Sequence, residues 1–362
     1  MDIAELLRYA VEMGASDLHL KAGNVPFIRV DGSLRPTSFE SLTPVESQTF
    51  AAQLMPDHKM REFAATNEAD FGYTLPGVGR FRVNVFRQRS NVGLAIRRVR
   101  AEVPTFEELL LPPVMKELAD SSRGLVLLTG PTGTGKTTTI ASVIGYINRT
   151  RRAHIVTIED PIEVVHEDDL SMIQQREIGL DTESYGNALR HVIRQDPDVV
   201  FIGEIRDPES ALSAIQAAET GHLVISTMHT IDATETINRL LDLFPPQQQR
   251  EVRTSFAGAL RGIVSQRLVP RADGKGRVPA VEVMIATGRV YERIIDPEST
   301  IEIRDVIAEG TYYGMQTFDQ ALVKMVKDGL INEDDGRRAS TTPHDFNLAL
   351  RGVMTRGTPQ LI

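Results

Sequence analysis

The chain is 362 residues long, with a formal net charge of −9, 41% hydrophobic and 25% charged residues, and no cysteine. That composition suits an ordinary globular protein of about two domains and excludes disulfides, cysteine-based zinc sites and wholesale coating of nucleic acid by a basic surface. No apolar run approaches the roughly 20 residues of a membrane-spanning helix. The acidic start Met1-Asp2-Ile3-Ala4-Glu5 lacks a secretion-signal pattern, and the lack of cysteine fits the expected cytoplasmic location.

Ile3, Leu6, Leu7, Ala10 and Val11 recur at helical spacing, with Gly14 as a stop. Phe27 to Val30 reads as a strand running into the hairpin pair Asp31-Gly32. Phe81, Val83 and Val85 alternate with Arg82 and Asn84, and Leu94 to Val99 gives another strand. One helix with antiparallel strands predicts a small α+β domain over 1–100, and Pro104, Pro112 and Pro113 mark a linker over 101–113. Over 114–275 the apolar strands Leu125–Thr129, Ile155–Ile158, Val199–Ile202 and Leu223–Thr227 alternate with helical segments. This rhythm predicts an α/β core whose parallel sheet is covered on both faces. Residues 276–362 read as mainly helical, with helices over Met315–Lys327 and from Thr342-Pro343, and a frayed end from Gly357.

Four segments carry chemistry. Gly130-Pro131-Thr132-Gly133-Thr134-Gly135-Lys136-Thr137 fits the phosphate-binding loop and lies between a strand pattern and a helical one that begins Thr137-Thr138. Unpaired N–H groups and the helix dipole there favour an anion. Lys136 would reach the β/γ oxygens and the Thr137 hydroxyl would bind Mg²⁺, so the ligand is a nucleoside triphosphate. Asp198 through Glu204 is a buried strand ending in an acid, suited to holding Mg²⁺ or polarising water. Glu159, Asp160 and Glu163 leave another strand end, either toward the nucleotide or as capping and solvated carboxylates. Last, His222 and His229 bracket one strand, leaving Ser226, Thr227 and His229 at its C-terminal end to sense a γ-phosphate.

In this order the four elements resemble the PilT-like branch of the type II/IV secretion-ATPase superfamily, whose members power type IV pili and type II secretion. The Asp box is matched by Ile158 through Glu163, Walker B by Asp196 through Asp207, and the His box by Thr220 through Thr230. Gly14-Ala15-Ser16-Asp17-Leu18-His19-Leu20 and Tyr313-Gly314-Met315-Gln316-Thr317-Phe318-Asp319-Gln320 extend the likeness to both ends. The resemblance implies an RecA-like core, a smaller PAS-like N-terminal domain, a helical C-terminal region and a homohexameric ring using ATP and Mg²⁺. It implies Glu163 as activator of the attacking water, Glu204 on the magnesium side, His229 as γ-phosphate reporter, and Arg82 and Arg97 as arginine fingers. It also implies docking, at the inner face of the cytoplasmic membrane, on a membrane-embedded pilus platform protein.

One segment departs from the family. Retraction motors typically carry Ala-Ile-Arg-Asn-Leu-Ile-Arg-Glu, where this chain has Arg289-Val290-Tyr291-Glu292-Arg293-Ile294-Ile295-Asp296 followed by Pro297. Assembly and type II secretion ATPases usually add a long N-terminal region and a four-cysteine zinc module, so a retraction-type motor is the expected function. Three alternatives stay open at this level: an assembly or secretion ATPase, a nucleotide-dependent regulator with little hydrolysis, and a nucleic-acid translocase. Net charge and the absence of tryptophan argue against a stable nucleic-acid partner.

Overall fold

Period-two alternation, visible in sequence at Phe81–Val85, is kept along β1 (Asp17–Lys21) and β5 (Gly79–Gln88) of the N-terminal unit. The computed structural model describes residues 2–30, 32–99 and 103–352. It divides into two compact units, Met1–Glu102 with Pro161–Val165, and Val103–Asp160 with His166–Ile362. The first contains α1 (Ile3–Glu12), β1 (Asp17–Lys21), β2 (Phe27–Val30), β3 (Ser33–Pro36), α2 (Pro44–Leu54), α3 (Asp57–Thr66), β4 (Glu68–Leu75), β5 (Gly79–Gln88) and β6 (Asn91–Arg98). The strands form one antiparallel sheet in the order β3-β2-β1-β6-β5-β4. Leu18, Ile28, Phe71, Val83 and Ile96 turn to its buried face, where Ile3, Leu6, Leu7 and Ala10 of α1 pack. Removing this apolar surface from water holds the unit together. Gly14, at φ +67°, ends the turn after α1.

The second unit starts with α4 (Val114–Ala119), β7 (Gly124–Thr129), α5 (Lys136–Thr150), β8 (His154–Glu159), β9 (Met172–Glu177), α6 (Tyr185–Val192), β10 (Val199–Ile202), α7 (Pro208–Glu219) and β11 (Leu223–Met228). It continues with α8 (Ala233–Asp242), α9 (Pro246–Ala259), β12 (Leu260–Pro270), β13 (Arg277–Ile285), α10 (Gly288–Ile295), α11 (Ile303–Glu309), α12 (Phe318–Lys327), α13 (Glu333–Ala339) and α14 (Pro343–Leu350). The sheet order is β13-β12-β7-β11-β10-β8-β9, parallel except for β13. Successive residues of each central strand enter opposite cores. Leu125, Leu127, Val156, Ile158, Val200, Ile202 and Val224 meet the residues of α6 to α11. Val126, Leu128, Ile155, Val199, Phe201, Leu223 and Ile225 meet Met115, Ile140 and Ile144 of α4 and α5. Burial on both faces explains why these strands are apolar without alternation.

Several sequence expectations need correction. The segment taken as a linker is partly core, since Phe106 and Leu111 are buried with α4. Residues after 275 are not helical at once: Arg277–Ile285 is β13, nine residues antiparallel to β12. Its Pro279 is tolerated because β13 is the last strand at that edge of the sheet, met beyond β12 by the bridge from Val283 to Gln316. The expected helix at Met315 begins at Phe318, where Thr317 and Gln320 form a reciprocal capping box. Asp31, residues 100–102 and the tail from Gly357 lie outside the described residues.

Candidate active site

The phosphate loop connects β7 to α5, and its backbone demands glycine. Gly130 has φ +147° and a Cβ there would lie 2.6 Å from the Gln266 carbonyl oxygen. Gly135, at φ +89°, would place a Cβ 2.9 Å from Gln266 Nε2. Lys136 Nζ donates to the carbonyls of Gly130 (2.5 Å) and Pro131 (3.2 Å), and Thr134 Oγ1 donates to Pro131 O (2.9 Å). Helix α5 has no side-chain N-cap, and Thr137 is exposed in its first turn. Uncapped N–H groups, a lysine and a free-standing hydroxyl suit a magnesium-bound phosphate chain. Pro131, Thr132 and Gly133 form the exposed crest of the loop, and Thr138 follows Thr137 in the helix.

Parallel register brings the other strand ends to the same edge. Thr129 pairs with Met228, Ser226 with Ile202, and Ile202 with Ile158. Each strand ends there in the residues expected from sequence, as open α/β sheets place their ligand groups. Glu204 is held by two side chains: Arg206 Nη2 lies 2.6 Å from Oε2, and His229 Nε2 lies 3.1 Å from Oε1. The Glu204 side chain is only 15% exposed, so the pair is more strongly coupled than a surface contact. A carboxylate with two contacts of this kind retains lone pairs for a metal or a water. Glu159 is buried and accepts from Thr157 Oγ1 (2.6 Å) and Gln175 Nε2 (3.1 Å). The Tyr185 phenol lies against Gly203, and burial, then the Asp160 charge, push it well above its ordinary value.

The polar strand ends do not all face a ligand. Ser226 Oγ and Thr227 Oγ1 donate to the carbonyls of Ile202 (2.8 Å) and Gly203 (2.7 Å). Both hydroxyls therefore brace the Glu204 strand rather than sense phosphate. His222 stands at the start of β11, the opposite end from His229, with Nδ1 3.0 Å from Ala217 O beneath α7. Asp198 likewise serves the far end of β10, accepting from the His154 N–H at 2.8 Å.

The arginines and Glu163 belong to the N-terminal unit. Cross-strand register lines up Arg29, Asp17, Arg97, Arg82 and Gly72 in one row on the face away from the core. Arg82 forks onto Asp70 (2.6 and 3.2 Å) and lies 3.7 Å from Glu163 Oε1. Arg97 Nε donates to Asp17 Oδ1 at 2.9 Å. Burial alone would raise the Asp17 pKa, but the Ser16 hydroxyl and Arg97 outweigh it and hold it below the usual range. Sequence reasoning missed three residues that bond to the candidate site: Asp70, Arg206 and Gln266. Arg206 stands two residues after Glu204, a signal that was available; Asp70 and Gln266 become neighbours only through strand pairing.

The loop, the paired acid and the parallel core define a P-loop ATPase. Residues 1–338 match the family described as type II/IV secretion system protein, and the chain belongs to that family. It is 42% identical to the type IV pilus retraction ATPase PilT of Pseudomonas aeruginosa, over 96% of this chain and 100% of that protein. It is 40% identical to the type IV pilus ATPase PilU of the same organism, over 97% of this chain and 92% of that protein. The crystal structure of the pilus retraction motor PilT with bound ADP superimposes with a TM-score of 0.86 at 44% identity, covering 95% of this chain and 98% of that one.

Proposed function

We propose that this chain is the ATP-hydrolysing motor of type IV pilus retraction, acting as a homohexamer docked from the cytoplasm on an inner-membrane platform protein. The observation that carries this reading is Glu204 held between Arg206 and His229 at the strand ends beside the phosphate loop. Thr137 and Glu204 would hold Mg²⁺, which when bound neutralises charge on the β- and γ-phosphates. Lys136 and the loop N–H groups position the triphosphate. Glu163 orients the attacking water, and His229 adjusts Glu204 as the γ-phosphate is lost. Arg82 and Arg97 exchange their carboxylate partners for transition-state charge, a task suited to a planar, permanently charged fork.

The altered 289–296 segment is compatible with this role. Helix α10 still forms, burying Val290 and Ile294, with Arg289 paired to Glu309 and Arg293 to Glu302. Among the described residues no helix is long and apolar enough to cross a membrane, which fits docking on a separate platform. The test is ATP turnover with Mg²⁺ by purified wild type and Glu204→Ala. Equal rates would show that the chemistry assigned to Glu204 is wrong.

A further inference from the structure

We propose that Gln266, on β12, is a positioning residue that clamps the phosphate loop in its binding conformation; this rests on the proposed ATPase reading. The residue is 2% exposed and both ends of its amide are used. Nε2 donates to the Thr134 carbonyl at 2.7 Å, in the middle of the loop, and Oε1 accepts from Thr139 Oγ1 at 2.9 Å, in the first turn of α5. One amide thus joins loop, helix and sheet. Two glycines with positive φ approach Gln266: Gly130 (+147°) lies against its backbone carbonyl and Gly135 (+89°) against its Nε2. A side chain at Gly135 would displace the amide nitrogen, and one at Gly130 the backbone carbonyl of the same residue.

The strand that carries the clamp is itself anchored. Ser265 accepts from Thr129 Oγ1 at 2.8 Å, fixing β12 to the end of β7. Arg267, on the same face as Ser265 and opposite Gln266, lies 3.8 Å over the Phe318 ring and donates to the Ala339 carbonyl at 2.6 Å. A buried amide with both its nitrogen and its oxygen bonded specifies one geometry, and losing one partner leaves a loop carbonyl or a helix hydroxyl unpaired. The charged group on the loop beside this amide is Lys136, turned to the Gly130 and Pro131 carbonyls. Glu282 pairs across the strand with Ser265, so it belongs to the other face.

Gln266→Glu makes a selective test. Ionised, it keeps the acceptor toward Thr139 but sets an oxygen against the Thr134 carbonyl; protonated, it restores the donor. Burial raises a carboxyl pKa, so protonation is reachable near neutrality. ADP affinity and the KM for ATP are measured for wild type, Gln266→Glu and Thr139→Val from pH 6 to 8, with thermal melts alongside. The clamp predicts an about tenfold rise in KM and in the ADP Kd for Gln266→Glu at pH 8, shrinking toward wild type at pH 6, with kcat changed less than KM. It predicts a smaller rise for Thr139→Val that does not respond to pH. A lowered melting temperature with wild-type KM and Kd at every pH overturns the clamp. Wild type that binds ADP without hydrolysing ATP overturns the ATPase reading instead, and the ADP arm still decides the clamp.

Discussion

His229 Nε2 lies 3.1 Å from Glu204 Oε1, joining the end of β11 to the segment after β10. Each residue follows a different strand, so the contact depends on the register Ser226 to Ile202 and on two hydroxyl braces across that pair. Glu204→Gln keeps the shape and removes the charge. It should lower kcat by about a hundredfold or more while leaving ADP binding within a few-fold. His229→Ala should cost less, because Arg206 still holds the other carboxylate oxygen. Steady-state kinetics beside equilibrium ADP titration check both, and equal losses in kcat and ADP affinity for Glu204→Gln would contradict the assignment.

The pairing of Arg82 with Asp70 makes a second prediction. Arg82→Ala should reduce kcat by about a hundredfold or more if its fork meets transition-state charge, and Arg82→Lys should restore little. Asp70→Asn releases Arg82 from its bidentate partner and should leave turnover equal to or above wild type. Loss of activity in Asp70→Asn as severe as in Arg82→Ala would instead assign the pair to holding the sheet together.

Gly130→Ala tests the loop backbone. At φ +147°, with the Gln266 carbonyl 2.6 Å from the new Cβ, the substitution must move the loop. It should abolish measurable ADP binding and lower stability by on the order of 1–3 kcal/mol, read by calorimetry and chemical denaturation. Gly133→Ala meets no atom within 4 Å and is strained only by its φ of +82°, so its loss should be smaller.

Two groups, the buried Glu282 and the half-buried His166, give opposite pH dependences. Burial pushes the Glu282 carboxyl up to about 7, with the Ala233 N–H, Arg267 and Arg304 working against it and Asp232 adding to it. Burial, then Arg149, pushes the His166 imidazole down to about 4. The native state therefore holds an extra proton on Glu282, and that stability, present below the ordinary glutamate pKa, is lost as pH rises through about 7. His166 stays neutral in the native state, so its stability is present above 6.5 and lost as pH falls toward 4. In wild type the two slopes oppose each other between roughly pH 4.5 and 6.5. Relative to wild type, Glu282→Gln should gain on the order of 2 kcal/mol between pH 5 and 8. His166→Gln should gain a similar amount between pH 7.5 and 4.5, and melts of the three proteins check both signs.

What was legible in the sequence follows from burial. Strands β7, β8, β10 and β11 are buried on both faces, so each appears as an unbroken apolar run with its ligand group at the end. β13 was missed because Pro279 and the buried Glu282 break its apolar pattern. α2 was also missed, although Thr43-Pro44 and Glu46 form a capping box that announces it. The Gln266 clamp was invisible because its partners lie 132 and 127 residues away and meet it only through the β7–β12 pairing.

Deletion of the gene in its own host, scored for surface pili and twitching together, tests the central claim most directly. A retraction motor predicts excess surface pili with loss of twitching, both reversed by wild type and not by Glu204→Gln. Cells without pili after the deletion, or twitching restored by Glu204→Gln, would contradict it.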